Sequence, residues 1–357
     1  NGASLTYVKN GSSFGGVGDA ADGTRISTSG EQLIVTDSSG SKTTYTKVHD
    51  SWLIARTETT AAESAVNYYR DINGRVTRIL APVPTGVTCG TTLVAGCRAL
   101  EISYATATTA TGVASGWGDF KEQVKTVSFT AFDPESNAMK TTPLATYLYD
   151  STGHLRQVTD PRTNLATVYY YTGEGRVSQI TPPGLAPWRM EYDSRGRLAH
   201  VQREGGDVDP TWSVAYDVPI GGTGVPVDLT AAQTNRWGQS TDLPVIGAAM
   251  FPASHVPPRG SDGAYMPLAA DWEYGSLVYT DVNGRPVNSA QFGAGAWQIS
   301  ATRYDKNGRA IWELTAGNRA QALTPTPDTD PYVAGASTRQ SERICLLGSE
   351  HMAITRN

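Results

Sequence analysis

Nearly the same dozen residues are written three times in succession. Tyr149-Asp150-Ser151-Thr152-Gly153-His154-Leu155 is followed 22 residues on by Tyr171-Thr172-Gly173-Glu174-Gly175-Arg176-Val177. Tyr192-Asp193-Ser194-Arg195-Gly196-Arg197-Leu198 comes 21 residues after that. The unit returns as Tyr304-Asp305-Lys306-Asn307-Gly308-Arg309-Ala310. With one more residue between tyrosine and glycine it also reads in Tyr69-Arg70-Asp71-Ile72-Asn73-Gly74-Arg75 and Tyr279-Thr280-Asp281-Val282-Asn283-Gly284-Arg285. Aligned on glycine, the gaps are 79, 22, 21, 88 and 24, and the two long ones leave room for degenerate copies. A catalytic motif occurs once, whereas a motif recurring at a fixed period is architecture.

Asp-x-x-Gly and Asp-x-Asn-Gly are turn sequences: the aspartate caps backbone amides and glycine supplies the positive φ. The flanking runs, Leu155–Thr159 and Ala166–Tyr171, are rich in β-branched and aromatic residues and read as strands. Asp160-Pro161 and Pro182-Pro183-Gly184 then make a second turn. Two short strands and two turns take about twenty residues. No helical pattern lies between them, so the expectation is an all-β chain of antiparallel hairpins in one long curved or spiralling sheet.

The Tyr-Asp-x-x-Gly-Arg-Leu unit at this spacing resembles the YD repeat of RHS-repeat proteins. That family includes bacterial polymorphic toxins, insecticidal toxin-complex components and animal teneurins. RVTRILAPVPTGVTC (75–89), ITPPGLAPW (180–188) and ELTAGNRAQAL (313–323) also read like actinobacterial members. The resemblance implies a sheet spiralling into a hollow β-shell around a cargo, often a toxic C-terminal domain. The Asp-Pro-x-Gly core motif with which such shells often end is not found here. The chain is therefore expected to be one continuous wall segment over residues 1–357. Its expected parts are divergent strands (1–60), repeats (61–204), a Pro/Gly-rich insertion (205–270), further repeats (271–323) and a C-terminal segment (324–357). A capping box at Ser337 and Gln340, with Ile344 and Leu347 on one face, predicts a short helix from Ser337 to Leu347 in the last part.

Composition fits this reading. Of 357 residues only 18% are charged, and Thr, Ser, Gly and Ala fill the place of the Glu, Lys and Leu of helical proteins. With 29 basic and 34 acidic residues and no basic cluster, a nucleic-acid partner is not expected. No stretch of eighteen apolar residues is present to span a membrane as a helix. The sequence begins at Asn1 rather than Met, which reads as a processed product or a piece of something longer.

Three cysteines occur. The seven-residue gap between Cys89 and Cys97 is wrong for a zinc knuckle, and no histidine is near. A disulfide closing a hairpin-like loop in an oxidising compartment and a pair of unpaired thiols both remain open, the disulfide favoured, with Cys345 free. Gly11-Ser12-Ser13-Phe14-Gly15 matches the nucleophile-elbow pattern, but Gly-Val-Gly-Asp after it is a poor helix start, so a polar loop is expected. The Asp-x-Asn-Gly turns lack the glycine and glutamate positions of a calcium loop. The five histidines are scattered. No catalytic residue, metal ligand or cofactor is therefore assigned, and the repeat residues are assigned to structure. The eight tryptophans are expected mostly in the core or lining.

The function expected is a non-catalytic wall segment of a secreted or cell-surface protein. Its partners are the remainder of the parent polypeptide or a cargo domain, with glycan binding and self-association as further partner readings. The alternatives are an extracellular carbohydrate- or protein-binding adhesin module and, more weakly, a glycoside hydrolase with carboxylates on the sheet.

Overall fold

The computed structural model describes residues 7–11, 13–16, 23–205, 211–305 and 308–323. The chain is all-β and its strands pair antiparallel. Two compact units are distinguished, one formed by Leu5–Leu185 and the other by Ala186–Asn357 with Asn1–Ser4. The helix expected at 337–347 and the free Cys345 lie outside the described residues.

The first unit holds β1 (Tyr7–Asn10), β2 (Ser13–Gly16), β3 (Arg25–Ser29), β4 (Gln32–Thr36), β5 (Lys42–Val48), β6 (Ser51–Glu58) and β7 (Val66–Arg70). It continues with β8 (Val76–Leu80), β9 (Arg98–Tyr104), β10 (Val124–Asp133), β11 (Ala138–Tyr149), β12 (Leu155–Asp160), β13 (Leu165–Tyr171) and β14 (Val177–Thr181). Each strand pairs with the next along the chain, so the unit is a meander. The segment expected as a polar loop around Ser13 contains β2, which follows a turn at Gly11. Period-two alternation gives the sheet two unlike faces. Across β7–β11 one row reads Tyr68, Ile79, Leu100, Phe129, Thr142, and its neighbour on the other face reads Tyr69, Arg78, Glu101, Ser128, Pro143.

The second unit repeats the meander with β15 (Trp188–Tyr192), β16 (Leu198–Arg203), β17 (Thr211–Val218), β18 (Ile246–Phe251), β19 (Ser276–Thr280), β20 (Pro286–Gly293), β21 (Ala296–Tyr304) and β22 (Ala310–Leu314). The connections β17–β18 and β18–β19, which span most of the Pro/Gly-rich stretch, fold back over one sheet face. They carry a short helix α1 (Ala231–Thr234) and bring Val227, Leu229, Trp237, Tyr265 and Trp272 onto Ala199, Ala215, Ala249, Leu277, Ala290, Ile299 and Ala301. The alanines leave room for the large side chains to reach the sheet, which close packing requires. An amide pair fastens the loop. Gln239 Nε2 donates to Asn288 Oδ1 at 2.9 Å, and Asn288 Nδ2 donates back to Gln239 Oε1 at 2.9 Å. Residues 316–323, expected as repeat, form a helix instead (α2, Ala316–Leu323), an alanine-rich run without β-branched residues. Thr315 opens it, its hydroxyl accepting the Asn318 amide.

Every unambiguous repeat turn has one backbone form. The glycine amide donates to the aspartate carbonyl, the aspartate amide donates to the carbonyl one residue past the glycine, and the strand register slips by one residue at the turn entry. This is a type I turn closed by a glycine in the left-handed region, with a bulge. Gly153 has φ +89°, and a Cβ there would meet the Phe120 ring at 3.1 Å. Gly153→Val is therefore expected to cost more than about 1 kcal/mol in urea denaturation, because a β-branched residue fits that region poorly. A midpoint equal to wild type would refute the turn assignment.

Candidate functional site: the repeat turns and a polar groove

The turn aspartate is the densest hydrogen-bond acceptor of the repeat. In the Asp281 turn, Oδ1 accepts the amides of Asn283 and Arg285, both at 2.9 Å. Its Oδ2 takes Arg285 Nε at 2.8 Å. The Asp71 turn repeats this with Asn73, Arg75 and a 2.7 Å guanidinium contact. Asp193 does so with Arg195, Arg197 and 2.8 Å. In the Asp305 turn the Arg309 amide donates to Oδ1 at 2.9 Å, and the ion pair is looser at 3.8 Å.

Two copies depart from the pattern. At Asp150 the arginine position holds His154, and Arg156, two residues on and on the same face, supplies Nε at 2.7 Å. At 171–177 Thr172 replaces the aspartate, its hydroxyl accepts the Arg176 amide at 3.3 Å, and Arg176 lies 3.9 Å from Glu174. A further copy was not recognised in the sequence. Asp37 accepts the amides of Ser39 and Ser41 at 2.9 and 3.0 Å, and Gly40 has φ +86°. Its Asp-Ser-Ser-Gly string was the available signal; the absent arginine and tyrosine hid it.

The arginine also joins one hairpin to the next. Arg75 lies over Tyr104 with its guanidinium carbon 4.4 Å from the ring centroid, Arg197 over Tyr216 at 4.5 Å, and Arg285 over Tyr304 at 4.9 Å. Arg156 lies over Tyr171 at 5.0 Å. Each tyrosine hydroxyl donates to the backbone carbonyl beside its turn, at Val76, Leu198, Pro286 and Leu155, over 2.7–3.1 Å. Tyr149 likewise donates to the Val124 carbonyl at 2.8 Å. Tyr104 and Tyr216 were not assigned to the repeat from sequence. Tyr69 and Tyr279 were, but they stand one residue further from the glycine and so face the opposite way. Arg70 and Thr280 occupy the tyrosine position, donating to the carbonyls of Ile54 and Ile246 at 3.0 and 3.5 Å. Tyr279 is instead fully buried in the core of the second unit, while Tyr69 is 42% exposed. Tyr192 ends β15 at the register slip, opposite Leu198.

Burial opposes ionisation of Asp71, Asp193 and Asp281, yet the hydrogen bonds from the arginines and turn amides outweigh it and hold each carboxyl below its usual range. Asp150 is fully buried. Burial raises its pKa, but donors from Thr152, Arg156 and the turn amides overcome that and bring it to about 2.

Tyr69 opens into a second feature of the first unit, a groove of about 530 Å³ over β7–β11. Its floor and walls include Thr77, Arg78, Glu101, Ser103, Thr126, Ser128 and Thr141. The overhanging wall, Gly90 and Thr91, belongs to the loop closed by a disulfide between Cys89 and Cys97. That loop is seated on the sheet through Leu93 and Cys97 against Leu80 and Ala99. Arg78 Nη2 donates to Glu101 Oε1 at 2.8 Å, and Arg78 Nη1 donates to the Gly90 and Thr91 carbonyls at 3.2 Å. The Thr130 hydroxyl donates to Glu101 Oε2 at 2.6 Å. With Arg78 it keeps Glu101 ionised, its carboxyl below the usual range despite burial.

Among the described residues no group of three or more His, Cys, Asp or Glu could hold a metal ion. His255 pairs with Asp271 at 2.8 Å and stacks on Tyr274; His200 is buried against Tyr265. Neither histidine has a nucleophile placed beside it in a recognised triad. Of the tryptophans, Trp237 and Trp272 are buried, Trp52 is exposed, and the others are half-buried.

No protein-family model matches the sequence, and no curated protein matches it. Among solved structures the chain is similar to the Photorhabdus luminescens Tc holotoxin pore, at 9% identity and TM-score 0.30, over 82% of this chain and 16% of that one. It is also similar to the TcdB2-TccC3 crystal structure, at 11% identity and TM-score 0.27, over 87% of this chain and 19% of that one. This chain thus spans less than a fifth of the length of either. No residue role is taken from them.

The depressed Asp150 pKa fixes a pH dependence. Its contribution, about 2 kcal/mol, is present in full above the unfolded value of 3.8 and is lost as pH falls through about 2. Urea denaturation of wild type and Asp150→Asn across pH 7 to 2 is expected to show the variant less stable at neutral pH. The difference should close in that acid window, and a difference independent of pH would contradict the assignment.

Proposed function

We propose that this chain is a non-catalytic wall segment of a secreted or cell-surface protein of the RHS/YD-repeat kind, which encloses or presents a cargo or toxin domain. The observation that carries the reading is the half-open sheet of the first unit. Among the described residues of that unit the buried apolar side chains are only Leu80, Leu93, Cys97, Ala99, Ala105 and Tyr149, and just Leu80, Ala99 and Tyr149 of these lie in strands. The face carrying Ile79, Leu100, Val127, Val158, Tyr169 and Ile180 stays half-buried, and Phe129 is 37% exposed. An apolar sheet face gains free energy when something covers it, at about 25 cal/mol per Å² removed from water. A wall whose interior is filled by another part of the parent polypeptide supplies that cover.

Two further observations support the reading. The side chains of the repeat are committed to holding turns and joining hairpins, which is the work of a wall. A disulfide on the sheet suits an oxidising compartment, as secretion or surface display would provide.

Limited proteolysis of the full parent polypeptide tests this. A domain enclosed by the wall is expected to resist cleavage until the wall is unfolded, and the purified chain is expected to turn over no ester, phosphate or glycoside in a chromogenic panel. Unhindered cleavage of every flanking domain, or turnover abolished by a single carboxylate substitution, would overturn the proposal.

A further inference from the structure

The second unit departs from the repeat pattern in two places that meet. One is the helical turn Asn235–Trp237, just after α1, and the other is α2. Their meeting point is the buried Trp237. Arg319, on α2, lies over its ring with the guanidinium carbon 4.2 Å from the centroid. Arg236, the residue before Trp237, is exposed and donates Nη1 to Gln233 Oε1 at 3.0 Å.

This pair of arginines lacks a counter-charge. Arg197, Arg259 and Arg285 of the same unit each pair with a carboxylate, whereas among the described residues Arg236 and Arg319 pair with none. The Arg319 side chain hydrogen-bonds no described residue, and its Nε is buried without an acceptor. Burial and, after it, the positive charge of Arg236 both disfavour the charge on Arg319. An arginine cannot relieve this by giving up its proton. The fold therefore holds a partly buried cation beside a like charge, a costly placement that a bound anion offsets.

The count of charges and donors decides which anion. One guanidinium fork satisfies one carboxylate, two N–H groups against two oxygens. Two forks offer two charges and twice the donors. A phosphomonoester brings three terminal oxygens and a charge of about −1.5 to −2 at pH 7, and so engages both. Arg319 is half-buried, which suits a compact anion, and the net charge of −5 on the chain disfavours approach to an anionic surface.

We infer that Arg236 and Arg319 form a binding site for the phosphate group of a small soluble phosphomonoester, where α2 meets the helical turn after α1. Trp237 is the platform. Its ring face holds the Arg319 guanidinium, and its Nε1 donates to Gln239 Oε1 at 3.2 Å, the amide that also pairs with Asn288. The site is thus anchored to the core and pre-formed. The inference stands apart from the wall reading, since it concerns two side chains outside the repeats.

Isothermal titration of the chain at fixed ionic strength tests it. The probes are inorganic phosphate, glycerol 3-phosphate and acetate, with phosphatidylcholine vesicles carrying phosphatidic acid as a surface-borne source of the same group. Both soluble phosphates are expected to bind one-to-one, at least about tenfold more tightly than acetate. Arg236→Gln should weaken them by about tenfold or more, and Arg319→Lys, which keeps the charge but gives up the fork, should weaken them as well. Without ligand, Arg236→Gln is expected to melt at or above the wild-type temperature, because a repulsion is removed. The rise in melting temperature that phosphate gives wild type should be lost in it. Failure of both soluble phosphates to bind, binding confined to the vesicles, acetate binding as tightly as phosphate, or an Arg236→Gln affinity equal to wild type would each overturn the inference.

Discussion

A turn carboxylate with more donors than a backbone turn can otherwise satisfy is the constraint on which the rest depends. A tight Asp-x-x-Gly turn leaves two amides pointing inward, and a buried amide without an acceptor costs about 1–3 kcal/mol. One oxygen of Asp71, Asp150, Asp193 and Asp281 takes both amides. The other oxygen is then left with a charge in a partly buried place, and a guanidinium answers it. The arginine, held flat by that pairing, offers its face to the tyrosine of the next hairpin. The turn chemistry thus extends into the contact between hairpins. A bundle of backbone, charge and aromatic contacts is repeated with the period of the chain.

The two units solve the covering of a sheet differently. In the second, long connections between β17, β18 and β19 lay Trp237, Trp272 and Tyr265 on an alanine-lined face and build a conventional core. In the first, neither of the two long connections, β8–β9 with its disulfide and β9–β10, builds such a core; the disulfide-closed loop seats on Leu80 and Ala99 and leaves the polar groove beside it. The open apolar face of the first unit is the physical basis of the wall proposal, and the covering layer of the second, where it meets α2, is the basis of the proposed phosphate site.

The sequence was most legible where chemistry is local. The Asp-x-x-Gly spacing, where a tyrosine and an arginine flanked it, was enough to locate most of the turns, though not the one at Asp37, and the β-branched runs beside them located strands such as β12 and β13, because both rest on neighbouring residues. The pairing of arginine with the next hairpin's tyrosine was not legible, since Arg75 and Tyr104 are far apart in sequence with no motif between them. Nor was the exchange at Asp150, where Arg156 replaces a missing arginine from two positions away; only strand alternation makes the two positions equivalent. Tyr69 shows the reverse error. It sits close enough to the motif to be read as part of it, yet one residue of offset turns it to the other face and into the groove. The groove itself joins residues from β7 to β11 and could not be read from any single stretch.

The central claim is that the arginine energetically couples its own turn to the following hairpin. A double-mutant cycle on Arg285 and Tyr304, with Arg285→Ala, Tyr304→Ala and the double variant compared by urea denaturation, measures that coupling directly. The account predicts an interaction free energy of about 0.5–2 kcal/mol. Strictly additive losses would show that the ring and the guanidinium merely lie near each other, and would contradict it.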